Sequence, residues 1–367
     1  MTHTVKVRGA FFYNPTENKL SQAKTILKVL DELEDNGIIL HCHPTLTCTD
    51  VQENIRGDDE FILMAGKCSK SADHPLTSML SQGLPVFAII RGASSSFGNS
   101  AQHRLEDDRL TTLIRNTNLL DLELNNTVSK TIKSRYHAKL INEVDGKVTY
   151  GARESLVTQE HLAKVFTGYS IATYPRLDSL VEAQLQLNQD RPIDISFVGS
   201  ANYGTPEISR HRQLAVRTLE EMTSPELNIH LACTRSRNNQ TAVKYNLKEF
   251  YAVLGKSKIV LSPWGLGEVC IRDFEIMLSG GLMIKPDMSH IETNPPFYRA
   301  GETYLSCRRD FSDLPEIVNE VLENWGQYNH IREEAYNVVI NSREPQFVAK
   351  QVANLIYDGL KIHQTKQ

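Results

Sequence analysis

Three ionisable residues near residue 270 share one face of a predicted helix. Glu268, Arg272 and Glu275 recur at spacings i, i+4 and i+7, so a helical segment places their side chains close together. At the amino end of a helix, backbone N–H groups and the dipole favour an anion, and an arginine there can bind a diphosphate through two parallel hydrogen bonds. A carboxylate can accept hydrogen bonds from two vicinal sugar hydroxyls. The pattern indicates a ligand site; its alternative is a surface helix with a Glu–Arg pair.

A strand, a turn and a helix must position these side chains. Residues 259–261 form a short apolar run typical of a buried parallel strand, and Ser262 opens a turn that extends to Gly267. A glycine pair at 280–281 ends the predicted helix, and residues 282–284 predict the next strand. In an open α/β sheet such a turn lies at the carboxyl ends of the strands, where ligands bind.

Length and composition limit the class of protein. A chain of 367 residues suits two domains of ordinary size, and 40% hydrophobic with 23% charged residues is typical of a soluble globular protein. A net charge of −4 gives no overall attraction to nucleic acid or to an anionic membrane. The six cysteines show no CxxC spacing, no apolar run approaches the length of a membrane span, and the start of the chain resembles neither a signal nor a transit peptide. We therefore expect a cytoplasmic location.

Strand and helix patterns alternate in both halves of the chain, which predicts an α/β protein with doubly wound sheets. The first half has strand patterns at 5–13, 38–41, 60–64, 84–90 and 169–173, and helix patterns at 19–35, 76–81, 156–165 and 176–187. A polar segment, 186–192, ends in proline and predicts a domain boundary. A second series follows, with strands at 193–198 and 228–233 and helices at 207–222 and 245–254. The predicted domains are 1–187 and 190–342, with a last helix at 345–363.

A second turn of small residues, 199–204, follows the strand at 193–198. Two glycine-containing turns on one sheet can converge on one diphosphate, which is the strongest indication that the second half binds a nucleotide. Without a metal, fixed cations and backbone N–H groups must stabilise the diphosphate. Arg272 is the first candidate for this role, assisted by Lys285 and by the backbone of Gly199 and Ser200.

The same segment resembles the donor-binding segment of GT-B glycosyltransferases, especially the exostosin-like and spore-coat-type group 1 branches. The resemblance covers about residues 193–340. In many retaining members two glutamates are separated by seven residues, whereas Glu268 and Glu275 are separated by six. The matching residues are Pro263, Gly265, Gly267, Glu268, Arg272, Glu275, Gly280 and Gly281.

The resemblance implies two Rossmann-like domains that face a cleft, with the C-terminal helix crossing back to the first domain. It also implies transfer of a sugar from a nucleoside-diphosphate sugar to a hydroxyl of a glycan or other acceptor, as in polysaccharide biosynthesis. Glu275 is expected to hold the ribose hydroxyls and Glu268 to contact the donor sugar, beside a turn that contains Ser262, Gly265 and Gly267. No cofactor or metal is expected, because the Asp-x-Asp pair of metal-dependent GT-A enzymes is missing from the sequence.

An inverting enzyme needs a base on the first domain to take the acceptor proton. Glu17, in the loop after the first strand, is one candidate, and His103, beyond a loop rich in glycine and serine at 91–100, is the other. A helix-start residue stabilised by the dipole is the alternative for Glu17. A retaining enzyme would need no such base.

Other functions stay open on the same fold, among them a non-catalytic nucleotide- or sugar-binding module and a nucleotide-sugar epimerase. The basic segment 130–139 predicts a solvated helix face or a contact with a phosphorylated or lipid-linked acceptor, which leaves peripheral membrane association open. His41 and His43 could begin a metal site, but no third ligand with suitable spacing is visible, so ordinary hydrogen bonds are predicted. The phosphate-binding motifs GxxxxGK[ST] and GxGxxG are missing.

Overall fold

The computed structural model describes the chain in segments that contain two parallel sheets. The described residues are 6–13, 22–44, 48–65, 75–90, 110–115, 118–119, 141–144, 147–150, 164–168, 174–202, 206–233, 245–265, 268–289 and 291–365. Glu17, His103 and Gly267 lie outside them, as do the loop at 91–100 and the basic segment at 130–139.

The first parallel sheet has the strand order β2-β1-β3-β4-β5-β9. The described elements up to β9 are β1 (Val7–Tyr13), α1 (Gln22–Leu27), α2 (Leu30–Asp35), β2 (Ile38–Pro44), α3 (Cys48–Asn54), β3 (Phe61–Ala65), α4 (Pro75–Leu80), β4 (Val86–Ile90), β5 (Leu110–Arg115), β6 (Asn118–Leu119), β7 (Ile141–Val144), β8 (Lys147–Tyr150) and β9 (Val165–Thr167). One hydrophobic cluster covers each face of this sheet. The predicted β-α alternation is confirmed here.

The second parallel sheet has the order β11-β10-β12-β13-β15 and likewise carries a hydrophobic cluster on each face. After a 3₁₀ turn at Pro175–Leu177, its elements are α5 (Asp178–Glu182), β10 (Ile193–Gly199), α6 (Pro206–Glu221), β11 (Ile229–Cys233), α7 (Leu247–Lys256), β12 (Ser257–Leu261), α8 (Ile271–Ser279), β13 (Leu282–Pro286), β14 (Ile291–Glu292), β15 (Leu305–Cys307), α9 (Leu314–Glu323), a 3₁₀ turn at Trp325–Tyr328, α10 (Asn329–Asn341) and α11 (Pro345–Gln364).

Local sequence explains the ends of several elements. The strands β3 and β13 are buried along their whole length, which is why they read as continuous apolar runs without alternation. Helix α7 begins with a capping box, in which the Asn246 side chain accepts from the backbone N–H of Glu249 and the Glu249 carboxylate accepts from that of Asn246. Helix α8 ends at Gly280, whose φ of 71° is the left-handed conformation that favours glycine.

Three predicted elements were wrong in part. The helix predicted at 19–35 is two helices, α1 and α2; its periodicity hides the break because Ile26, Val29 and Leu33 all pack on the first sheet. The helix predicted at 176–187 ends at Glu182, and Gln184 takes a positive φ of 53°. Residues predicted to end a helix at 165 instead begin β9, where Val165 pairs in parallel with Leu113.

Helix α11 returns to the first sheet, as predicted. Its apolar face, which includes Val348, Val352 and Ile356, packs in the same cluster as Phe11 and Phe61 of the first sheet. The Tyr357 hydroxyl donates a 3.2 Å hydrogen bond to the Asn36 carbonyl. In contrast, Leu177 and Leu180 pack in a core of the second sheet, although they precede the boundary predicted at 187–190. None of the helices that the structure describes is both long and apolar enough to cross a membrane.

Candidate functional site

The second sheet reverses its winding between β10 and β12. From β10 the chain passes to β11 on one side and then to β12 on the other, and Ile195 and Ser196 of β10 pair with Ile259 and Val260 of β12. Ligands of open α/β sheets bind at such a switch point, outside the carboxyl ends of the strands. The two turns predicted to converge, after Val198 and after Leu261, leave the sheet at this point, and the first begins one residue later than predicted because β10 includes Gly199.

Arg212, which was not predicted as a site residue, joins the two turns. This arginine is 1% exposed and lies on α6, with its Cζ 5.1 Å from the centre of the Phe197 ring. Its Nε donates to the Ser200 carbonyl at 2.6 Å, and its Nη1 donates to the carbonyls of Pro263 and Trp264, both at 2.9 Å. The signal in the sequence was its spacing, since Arg212 occupies the same helical face as the buried Ile208, Ala215 and Leu219.

Arg272 lies in the first turn of α8 and extends towards the end of β10. A Cβ atom built at Gly199 would lie 3.0 Å from both Cζ and Nη1 of Arg272, so the guanidinium is placed directly against the glycine backbone. Its Cζ is 5.5 Å from the centre of the Phe197 ring. Within the described part of the chain this guanidinium has no hydrogen bond or ion pair, and its Nε is buried. A fixed cation at a switch point that no described carboxylate binds directly is suited to binding an anion.

Asp273, the residue after Arg272, organises the interior behind the turn. Its carboxylate is completely buried and accepts hydrogen bonds from four groups: Ser262 Oγ at 2.6 Å, Tyr298 Oη at 2.7 Å, Cys270 N at 3.0 Å and Lys285 Nζ at 3.3 Å. Burial, reinforced by the neighbouring Asp273, raises the pKa of the Tyr298 phenol well above its usual value. The capping-box position of Asp273 at the third residue of α8 was the signal for its role.

Lys285, the predicted helper of Arg272, and Ser262, a predicted donor-binding residue of the turn, both belong to this interior network. Ser262 and Lys285 are both completely buried, and Nζ of Lys285 lies 3.2 Å from Oδ2 of Asp273. The structure therefore places the Lys285 ammonium in a buried ion pair rather than at a surface that faces a ligand. The ion pair connects β13 to the start of α8, and so it supports the helix that carries Arg272.

Glu275 is buried on α8, and only one of its carboxylate oxygens has a hydrogen bond within the described residues. Its Oε1 accepts from Arg176 Nε at 2.7 Å and from the Tyr251 hydroxyl at 3.2 Å. Burial raises the pKa of Glu275, against the opposing effect of Arg176 and Arg272. Its Oε2 is the oxygen left to a further donor. Glu268 is 1% exposed and Gly265 is also buried, so both belong to the wall of the turn rather than to its surface.

The histidine pair on β2 forms hydrogen bonds. His41 Nδ1 lies 2.6 Å from His43 Nε2, and His41 Nε2 lies 2.5 Å from Asp59 Oδ1. Both ring nitrogens of His41 are thus engaged. The side chains described here include no cluster of three or more histidine, cysteine or acidic residues arranged to hold a metal ion.

Gly199→Ala is expected to weaken anion binding at the switch point with little effect on stability. The new Cβ would collide with the Arg272 guanidinium, which is the flexible end of a side chain and can move away. Displacing a positioned group by about 1 Å can lower a catalysed rate by about a hundredfold. We expect the same displacement to lower nucleotide affinity by about tenfold to a hundredfold. Calorimetric titration measures this change, and chemical denaturation measures stability.

The matched control is Gly255→Ala, where a Cβ would meet only the Gln189 side chain, at 4.0 Å. Its nucleotide affinity should equal that of the wild type. Equal affinities for wild type and Gly199→Ala would show that the guanidinium does not bind the nucleotide in the position found here.

Comparison with known proteins supports the fold but supplies no close relative. No protein-family model matches the sequence, and no curated protein matches it. The chain is similar to α,α-trehalose 6-phosphate synthase from Burkholderia multivorans with a TM-score of 0.51 and 9% identity, over 99% of this chain and 99% of that chain. It is also similar to an α-glucosyltransferase in complex with UDP-glucose and DNA containing an abasic site, with a TM-score of 0.49 and 10% identity, over 96% of this chain and 100% of that chain. Similarity to the GtfA/B complex has a TM-score of 0.46 and 12% identity, and covers 86% of this chain and 60% of that chain.

The similarity to the synthase extends over nearly the whole of both chains and shows the class of fold. The protein has the GT-B glycosyltransferase fold, with two Rossmann-like domains facing a cleft and a last helix that crosses back to the first. The predicted resemblance is confirmed at this level. The exostosin-like branch and the domain boundary at 187–190 stay predictions.

Proposed function

We propose that the protein transfers a sugar from a nucleoside-diphosphate sugar to a hydroxyl group of a glycan or other acceptor. The observation that carries the proposal is the Arg272 guanidinium, which lies at the switch point against Gly199 and forms no hydrogen bond or ion pair with a described carboxylate. Phosphoryl oxygens are the ligands that match a planar guanidinium and nearby backbone N–H groups. The GT-B fold supports the same reading, because it is a fold of sugar transferases.

In this proposal the leaving diphosphate gains charge as the sugar departs, and fixed positive groups at the site stabilise it without a metal. Arg272 supplies the cation, and the backbone of Gly199, Ser200 and residues 264–267 supplies N–H groups. Ser262 and Pro263 do not contribute, because the Ser262 N–H donates to the Ile284 carbonyl and proline has no N–H. Lys285 acts indirectly, by holding Asp273 and hence the start of α8. Glu275 accepts hydrogen bonds from the ribose hydroxyls through Oε2. Glu268, which forms part of the wall of the turn, contacts the donor sugar.

The direct test is a thermal-shift screen against UDP, GDP, CMP, dTDP and ADP, followed by an assay of donor turnover with and without a chelator. A ligand that binds only the native state stabilises it by about 2.7 kcal/mol at a hundred times its dissociation constant. We expect one diphosphate to raise the melting temperature and its sugar conjugate to be consumed in the presence of chelator. Binding without turnover would identify a binding module, an isomerised donor would identify an epimerase, and binding of no nucleotide would refute the proposal.

Glu275→Gln tests the ribose contact. If the carboxylate accepts the ribose hydroxyls, the amide variant should bind the nucleotide less tightly by about 1.5–3 kcal/mol, the contribution of a hydrogen bond to a charged group, which is roughly tenfold to a hundredfold in affinity. A 2′,3′-dideoxy nucleotide should bind wild type and variant alike. Calorimetric titration of wild type and variant with each of the two nucleotides gives the four affinities to be compared. An equal loss for both nucleotides would assign Glu275 to its bonds with Arg176 and Tyr251 alone.

The proton acceptor of an inverting reaction is proposed to be Glu17, with His103 as the second candidate; both lie outside the described residues. A general base contributes about 10²–10⁴-fold to the rate. We expect Glu17→Gln to lower turnover at saturating donor by at least that lower factor, with nucleotide affinity unchanged. If Glu17→Gln and His103→Ala both retain turnover within about threefold of the wild type, neither residue is the base.

The acceptor and the cellular setting are also proposals. A glycan or lipid-linked acceptor, as in polysaccharide biosynthesis, would meet the first domain, and the basic segment at 130–139 would contact its phosphate groups. The charge balance and cysteine usage favour a cytoplasmic protein.

A further inference from the structure

A cavity of about 90 Å³ lies where α1 meets both segments that connect the two sheets. Lys24 and Lys28, from α1 and the residue that follows it, line one side. The other side is formed by Pro175 of the first connection and by Arg343 and Pro345 of the second. Because one water occupies roughly 30 Å³ of liquid, the cavity has room for a group of a few heavy atoms.

The lining of this cavity is cationic. It contains two lysines and one arginine and no acidic side chain. Arg343 has a carboxylate partner, Asp178, and its Nη1 also donates to the Tyr174 carbonyl at 3.4 Å. The two lysines are exposed and, within the described residues, neither ammonium has a hydrogen bond or an ion pair. Like charges at i and i+4 repel, so the site favours an anion between them.

Helix α11 adds to this potential. It begins at Pro345, on the rim of the cavity, and its twenty residues direct the positive end of their dipole there. Two sources of positive charge without a carboxylate partner among the described residues therefore point at one small space: the lysine pair on the first-sheet layer and the amino end of α11. The charge of Arg343 is balanced by Asp178, so this arginine contributes further N–H donors rather than net charge.

We propose that this cavity binds a phosphate group, which we call the hinge site. A phosphate oxygen can accept from Lys24 and Lys28 while another oxygen approaches Arg343, so that the anion joins the first-sheet layer to both connections. Such an anion would restrict the relative motion of the two sheets, and this gives the hinge site a role in controlling closure of the cleft. The proposal concerns a location separate from Arg272 and does not depend on the transferase function.

The test is a titration of melting temperature with inorganic phosphate at constant ionic strength, in wild type and in the Lys24→Gln/Lys28→Gln variant. Both lysines are exposed, so the variant is expected to fold. The matched control, Lys248→Gln/Lys350→Gln, removes two exposed lysines that lie outside the cavity. We expect saturable stabilisation of wild type and control, and a midpoint at least tenfold higher in the hinge variant. Glycerol 3-phosphate in a parallel titration distinguishes an esterified phosphate from the free ion as the natural ligand.

Arg272→Ala separates the hinge site from the donor site. Phosphate should still stabilise this variant with the wild-type midpoint. The hinge site is refuted if the lysine variant responds like wild type, if only Arg272→Ala loses the response, or if wild type shows no response to phosphate.

Discussion

Arg272→Ala should abolish sugar transfer and weaken binding of the nucleoside diphosphate by about 2–4 kcal/mol, the cost of losing a charge-assisted bidentate contact. The guanidinium is positioned against Gly199 and over the Phe197 ring, and none of the described carboxylates forms a hydrogen bond or ion pair with it, although its charge acts on Glu275. Removing it therefore leaves no protein carboxylate unpaired, and the expected effect on folding is small. Binding is measured by calorimetric titration and stability by chemical denaturation.

Two further variants show whether the loss comes from the charge of Arg272, from its paired donors or from removing any arginine. Arg272→Lys keeps the charge but loses the planar pair of donors, so it should fall between wild type and alanine. Arg217→Ala removes an exposed arginine further along α6 and should bind like wild type. Nucleotide affinity unchanged in Arg272→Ala would show that the diphosphate binds elsewhere.

Asp273→Ala should lower the free energy of unfolding by about 3–5 kcal/mol. The carboxylate is completely buried and pairs with the equally buried Lys285, so its removal leaves an ammonium without compensation in the interior. The hydroxyls of Ser262 and Tyr298 lose an acceptor in the same step. Urea denaturation measures the change as a lower midpoint with an unchanged slope.

The double variant Asp273→Ala/Lys285→Met distinguishes the buried charge from the capping role. Replacing both partners of a buried ion pair by apolar groups is often close to neutral, so much of the lost stability should return. Glu249→Ala, at the same third position of α7 but with an exposed side chain, should cost only about 1 kcal/mol. A loss of similar size in Asp273→Ala and Glu249→Ala would contradict the proposed cost of the unpaired lysine.

The sequence alone was sufficient for the repeating α/β pattern and for the unit that carries Arg272. Residues 259–261 and 282–284 are continuous apolar runs because parallel strands are buried on both faces. Gly280 predicted the end of α8 because only glycine takes its φ of 71° at little cost. These properties depend on nearest neighbours, so they can be inferred without knowledge of the rest of the chain.

The order of the strands and the partners of the charged side chains were decided by the tertiary structure. Lys285 and Arg272 are both cations close to one turn. Lys285 is paired with Asp273 in the interior, whereas Arg272 lies against a glycine and has no hydrogen bond or ion pair with the residues that the structure describes. Arg212 reaches carbonyls 51 and 52 residues away along the chain. Whether a charge is neutralised depends on groups that are distant in sequence and adjacent in space, and on the water that folding removes around them, so residue spacing alone cannot predict it.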